Sequence, residues 1–179
     1  MDFPILIMKK RFIKNKKGQE VLGLSFGIIF SIILIVFFIV IAGIVIKSFL
    51  GAQDCARLGI FIDRLEKDVD KSWNSPSDSH TFKGDLPSKI DYICFGNLTE
   101  ASKGEFKDIG YELGLFKGKS ATMFFYPSGK ACEMPFYNLR HIDLEKITSI
   151  KNPNCFEIKR KKISFQIEKG FNDRFVNIK

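Results

Sequence analysis

Residues 21–46 read VLGLSFGIIFSIILIVFFIVIAGIVI, without a charged side chain from end to end. As an α-helix this stretch is about 39 Å long. That exceeds the ~30 Å hydrocarbon core of a bilayer, so it can span with some tilt. A secretory signal has a shorter apolar region, about 7–15 residues, followed by a small-residue cleavage site, and neither feature fits here. A buried helix of a soluble protein rarely stays apolar on every face for so long. The stretch is read as a single membrane span. Around it the chain divides into a basic leader (1–20), the span (21–46), an amphipathic stalk helix (47–74) and a β-rich outer domain (75–179).

Charge gives the span a direction. The net charge of the chain is +8. Residues 1–20 hold six Lys/Arg against two acids, a balance of +4, and residues 47–179 hold 22 against 18, also +4. The excess is thus concentrated in the short leader, at Lys9, Lys10, Arg11, Lys14, Lys16 and Lys17. Only Lys47, Arg57 and Arg64 follow within twenty residues of the span. The positive-inside rule places the N-terminus in the cytoplasm and the C-terminal domain outside, making this a single-pass protein of the cell membrane.

All four cysteines, Cys55, Cys94, Cys132 and Cys155, fall on the expected outer side, where disulfides persist. Four cysteines allow three pairings. The expected one is Cys94–Cys132 within the sheet and Cys55–Cys155 tying helix to sheet. A zinc site is the rival reading, but there is no CxxC and no two cysteines are close. Asn97-Leu98-Thr99 is a glycosylation sequon, as an outer surface allows.

The leader carries a second signal. Met8 is followed by two lysines and reads as a natural start, with Met1 the alternative. Lys16-Lys17-Gly18-Gln19-Glu20 then abuts the span. Basic residues, Gly-Gln-Glu and an unbroken apolar helix together resemble the class III signal peptide of archaeal type IV pilin-like proteins. The resemblance covers about 30 residues, from Lys16 to Ile46. It implies a prepilin peptidase that cuts on the cytoplasmic side between Gly18 and Gln19 and leaves the helix in place. It further implies a filament or pseudopilin-type assembly with other pilin-like helices, either copies of the chain or minor subunits. The bacterial pattern has a Glu where this chain has Gly23, and Glu20 is the only acid near the cut. A plain signal anchor would also need basic residues before its span.

Within the span, Gly23, Gly27 and Ser31 recur every fourth residue and line one face. Small residues let helix backbones approach in lipid, so this face can pack against another helix. Beyond the span, Leu58, Phe61 or Ile62, Leu65, Val69 and Trp73 keep helical spacing while charged residues fill the other faces. Such a stripe needs a partner surface. Arg64–Asp68 is a supportive i, i+4 pair, and Gly51 and Gly59 are places where the helix can kink.

The outer domain reads as short strands between turns. Residues 74–80 form a polar loop containing His80. Residues 90–95 are a half-buried strand. Residues 111–116 and 120–126 flank Lys117-Gly118-Lys119 as a hairpin. Residues 143–150 suit a short helix with Asp143 as N-cap and Leu144, Ile147 and Ile150 inward. Residues 155–158, 163–168 and 174–178 are closing strands, the second with one wet face. The expected fold class is α+β: a transmembrane helix continuing into an amphipathic helix packed on a small antiparallel sheet.

No catalytic set emerges. Gly-rich phosphate loops, nucleophile elbows and HExxH are absent, so neither an enzyme nor a cofactor is expected. The His141-Ile142-Asp143-Leu144-Glu145 cluster reads more simply as a strand end leading into a helix cap than as a metal site. Lys159-Arg160-Lys161-Lys162 is the one dense basic run outside the leader. It can grip a polyanion such as DNA or an acidic surface glycan, but it falls at an expected hairpin turn and no aromatic residue interleaves it for stacking. The plainer reading is a solvated turn. The functional expectation is a surface-exposed structural or assembly subunit of the type IV pilin-like kind, with the membrane and neighbouring helices as partners. The alternative is an unprocessed single-pass protein with an outer partner- or ligand-binding domain.

Overall fold

The computed structural model describes the backbone of residues 17–179 and the side chains of residues 26–179. Both candidate start residues and the lysines up to position 16 lie outside the described residues. So do the side chains of Gly18, Gln19 and Gly23. The chain divides between Ser48 and Phe49 into two units.

Helix α1 runs Lys17–Trp73, 57 residues. It is long and apolar enough to cross a membrane, by length and composition. Side chains 26–50 are all exposed, including the large apolar ones from Phe26 to Leu50. Ser31 returns its hydroxyl to the Gly27 carbonyl of its own helix at 2.8 Å, so its donor is satisfied without a neighbour. Gly51 and Gly59 do not interrupt the helix.

The second unit is α+β, as the sequence pattern implies. Its strands are β1 (Asp78–Asp85), β2 (Tyr92–Phe95), β3 (Met123–Tyr126), β4 (Phe136–Tyr137), β5 (Asn154–Glu157), β6 (Lys162–Lys169) and β7 (Asn177–Ile178). Helices α2 (Lys107–Leu113) and α3 (Leu144–Thr148) lie between them. The antiparallel layer is two sheets, one ordered β1-β6-β7 and the other β4-β3-β2-β5.

One core joins the outer part of α1 to both sheets. Leu58, Phe61, Ile62, Leu65 and Val69 of the helix are buried with Phe82, Phe165 and Ile167 of the first sheet and Ile93, Phe95 and Phe125 of the second. The expected stripe holds except at its end. Ser72 takes the buried position, while Trp73 stacks on the His141 ring at 3.8 Å. Gly84 of β1 lies so close to Phe61 that a Cβ there would meet the ring at 2.5 Å, which explains a glycine inside a strand.

The sheets differ in how they are covered. In β1 and β6 buried and exposed residues alternate, leaving one face wet. In β2 and β3 nearly every residue is buried. A second cluster explains this: Cys94, Phe124 and Cys155 pack beneath Leu113, with Phe106, Ile109 and Phe116 against them. The segment at 111–116 is therefore not the expected hairpin strand. It is α2 followed by a 3₁₀ turn, Gly114–Phe116. Tyr111, Leu113 and Leu115 alternate like a strand, but Tyr111 is 71% and Leu115 85% exposed. The stripe that packs is Phe106, Ile109, Leu113 and Phe116, which has helical spacing.

Two smaller expectations also change. The 74–80 loop is shorter, because β1 begins at Asp78 and includes His80. In α3, Asp143 caps the helix by accepting from the Lys146 amide at 3.0 Å, as expected. Ile147 is buried, but Ile150 lies beyond the helix and is 82% exposed.

Candidate functional site

The basic run lies at the β5–β6 connection. Lys159 and Lys162 pair across it, each amide donating to the other's carbonyl at 2.9 Å. Arg160 and Lys161 form the two-residue tip with φ of 52° and 66°. Two successive positive φ values define a type I′ hairpin turn, which favours Asn-Gly because side chains crowd the carbonyl there. A non-glycine residue in this conformation costs about 1–2 kcal/mol. The Lys161 carbonyl accepts from the Leu86 amide at 2.8 Å, which fixes the tip against the end of β1.

Beside the hairpin is an open groove of about 800 Å³. The ends of β1 and β6 line it from both faces: on the wet face Lys83 is paired with Ser164 and Asp85 with Lys162, and Gly84 and Ile163 come from the covered one. Arg64 of α1 closes one side, its guanidinium donating to the Lys83 carbonyl at 3.3 Å. Arg64 therefore does not form the expected pair with Asp68, which lies 3.4 Å from His80 instead. Lys159 and Glu157 form an ion pair of 3.0 Å at the other side. Four cations thus line the groove against two carboxylates, Asp85 and Glu157.

Both disulfides form, but the pairing is Cys55–Cys132 and Cys94–Cys155, which replaces the expected one. The reason is the sheet order. β2 lies between β3 and β5, so Cys94 stands directly opposite Cys155 with Cα atoms 4.0 Å apart. Cys132 lies in the β3–β4 connection and reaches Cys55 on α1. Such bonds, with four paired cysteines and no free thiol, are what an oxidising, extracellular setting supports.

The sequon loop hangs on one buried residue, Asn152. Its Oδ1 accepts from the Asn97 amide at 3.0 Å, and its Nδ2 donates to the Asn97 carbonyl at 2.9 Å and the Ala101 carbonyl at 3.2 Å. Asn97 Oδ1 in turn accepts from the Thr99 amide and hydroxyl, and Asn97 Nδ2 donates to Glu100. Nothing in the residue pattern marks Asn152 beyond its place before a proline.

Carboxylates of α1 hold the domain to the helix. Glu66 accepts from the Tyr137 hydroxyl at 2.8 Å and from Arg140 at 3.3 Å. Burial, reinforced by that Glu66 bond, pushes the Tyr137 phenol up from its usual range. Asp70 pairs with His141 Nδ1 at 2.8 Å. His141 has a φ of 63°, and the Asp70 and Trp73 contacts hold it there. On β1, Asp78 accepts from the buried Ser72 hydroxyl at 2.6 Å and lies 3.1 Å from His80. The Ser72 bond, with His80 adding to it, outweighs burial and holds the Asp78 carboxyl below the usual carboxylate range. Sequence reasoning passed over Glu66 and Asp70 because their partners lie 71 residues along the chain, and over Asp78 because its segment read as a loop although Ser72 and His80 are close in sequence. Among the described residues no group of three or more His, Cys, Asp or Glu is arranged to hold a metal ion.

No family model matches the chain, no curated protein matches it, and no solved structure matches it. What the fold and composition define is a class: a long apolar N-terminal helix, suited to membrane anchoring, whose outer part packs under small antiparallel sheets in a disulfide-bonded α+β domain.

Proposed function

We propose that this chain is a surface-exposed structural or assembly subunit of the type IV pilin-like class, made with a cleavable class III leader. The observation that carries the reading is α1. One helix is exposed on every face over 26–50 and uncharged as far as Ile46, then presents the single stripe Leu58–Phe61–Leu65–Val69 to a β domain. A helix of this kind can reside in lipid before assembly and pack against other helices afterwards, since both surroundings accept an all-apolar surface. The Gly18-Gln19-Glu20 sequence before it supplies the processing signal. The basic leader supports a cytoplasmic N-terminus, which puts the disulfide-bonded domain outside. The role is non-catalytic. Its partners are the prepilin peptidase during maturation and neighbouring helices, of the same chain or of minor subunits, after it.

The test is the N-terminal peptide and intact mass of the protein taken from its native membrane. The expected terminus is Gln19, and Gly18→Leu is expected to abolish cleavage. An intact leader starting at Met1 or Met8 would overturn the reading in favour of an unprocessed single-pass anchor with an outer partner-binding domain.

A further inference from the structure

Three connections place non-glycine residues at positive φ, and the side chains there differ in what holds them. Cys132, beside Glu133, is fixed by its bond to Cys55. His141 is fixed by Asp70 and by the Trp73 ring. The third is the Arg160-Lys161 tip. Among the described residues neither of its side chains makes a hydrogen bond, ion pair or ring contact, and both are exposed. The fold needs the turn there, but the least strained residues for it are Asn and Gly. The bond from the Leu86 amide to the Lys161 carbonyl holds the backbone of the turn but asks for no particular side chain, so two long cations kept at strained positions point to a function.

The tip stands beside the groove lined by Arg64, Lys83, Lys159 and Lys162. With Arg160 and Lys161 the area gathers six cations around two carboxylates. Its shape is a concavity of about 800 Å³, open to solvent and large enough for several sugar rings. Two features choose the ligand. No aromatic ring lines the groove, so bases have nothing to stack on. Asp85 and Glu157 lie among the cations and repel any polyanion alike, yet carboxylates accept well from sugar hydroxyls, as Ser164 also can, and the sugars of duplex DNA have no free hydroxyl to offer along the chain.

We propose that this groove and its hairpin bind a carboxylated polysaccharide. The cations would pair with the uronate groups, and Asp85, Glu157 and Ser164 would bond the hydroxyls. This site belongs to the outer domain and does not depend on whether the chain is processed or polymerises.

The experiment uses the full chain in neutral detergent micelles. The probe is oligogalacturonate, with a neutral dextran oligomer and a short duplex DNA as comparators, each titrated at low and at physiological salt. Oligogalacturonate is expected to bind, more weakly as salt rises, and dextran is not. The double variant Arg160→Asn/Lys161→Gly is expected to bind about tenfold more weakly. Because it relieves the turn, its Tm is expected to rise by about 4 °C or more. Lys83→Gln/Lys162→Gln, in the groove lining, is expected to weaken binding similarly. Oligogalacturonate binding no better than dextran would overturn the proposal, as would unchanged affinity in the Arg160→Asn/Lys161→Gly variant. Tighter binding of the duplex DNA would replace it with a nucleic-acid site.

Discussion

The two stretches of α1 show one helix built for two surroundings. Over 26–50 every side chain is exposed and almost all are apolar, with only the small residues Gly27, Ser31 and Gly43 and, at the end, Lys47 and Ser48 to distinguish one face from another. Over the outer part, a narrow stripe from Leu58 to Val69 is buried, while Asp54, Arg64, Glu66, Asp68 and Asp70 reach strands and connections of the β domain with their charged ends. The first stretch gains nothing from the domain's fold. The second has no stable reason to be amphipathic without it, because a single stripe must be covered to leave water. The comparison teaches that continuity of the helix does not mean continuity of its energetics.

The largest way to break this contrast is through the disulfide that reaches the outer part of α1. Cys55→Ser/Cys132→Ser opens a loop closed over 77 residues, and chain entropy sets the loss at about 4 kcal/mol. Denaturant unfolding of the detergent-solubilised protein, followed by Trp73 fluorescence, measures it. A variant as stable as the parent would mean that the stripe alone secures the helix.

A substitution pair sharpens it further. Leu65→Ala in the buried stripe is expected to cost about 2–5 kcal/mol, from lost burial and the cavity left behind. Ile35→Ala, in the fully exposed apolar stretch, is expected to leave the domain's unfolding midpoint unchanged within about 0.5 kcal/mol. Equal losses at the two positions would show that the stretches unfold as one cooperative unit.

The smallest effect is at the end of the helix. Asp78 holds the buried Ser72 hydroxyl, and its carboxyl lies below its ordinary value of 3.8. A carboxyl with a depressed pKa in the folded state adds stability above its unfolded value, and that contribution is lost as pH falls through the folded one. The parent is therefore expected to lose stability below about pH 4 with a share owed to Asp78, and Asp78→Asn to flatten that acid limb. Asp78→Ala, which leaves Ser72 without its acceptor, is expected to cost about 1–2 kcal/mol at neutral pH. Thermal melts of parent and variants across pH 3–7 separate the two effects.

Much of the architecture was legible because it rests on local spacing. The stripe on α1, the Asp143 cap and the wet-faced strand at 163–168 follow from periods of 3.6 and 2 and from capping chemistry. The reading failed where two periods competed. Over Tyr111, Leu113 and Leu115 the alternation is genuine, but the longer stripe from Phe106 to Phe116 is the one that meets Phe124 and Phe136. Of the candidate site, the charge of residues 159–162 and their place at a hairpin could be read directly. The groove could not, because Arg64, Lys83 and Ser164 approach one another only when β1 pairs with β6 and α1 lies beside them.

By itself, then, the sequence determined the apolar helix, its charge asymmetry, the class of the outer domain and the presence of cysteines able to pair. Each follows from composition or from short-range periodicity, which the chain carries before it folds. Only the tertiary structure decided that Cys94 meets Cys155, that the β layer divides into two sheets with unequal cover, and that Asn152 holds the sequon loop. It also decided that Arg160 and Lys161 stand in a strained turn over a basic groove. Those outcomes depend on strand order and on contacts between residues tens of positions apart, where loop-closure entropy must be overcome by the whole core at once.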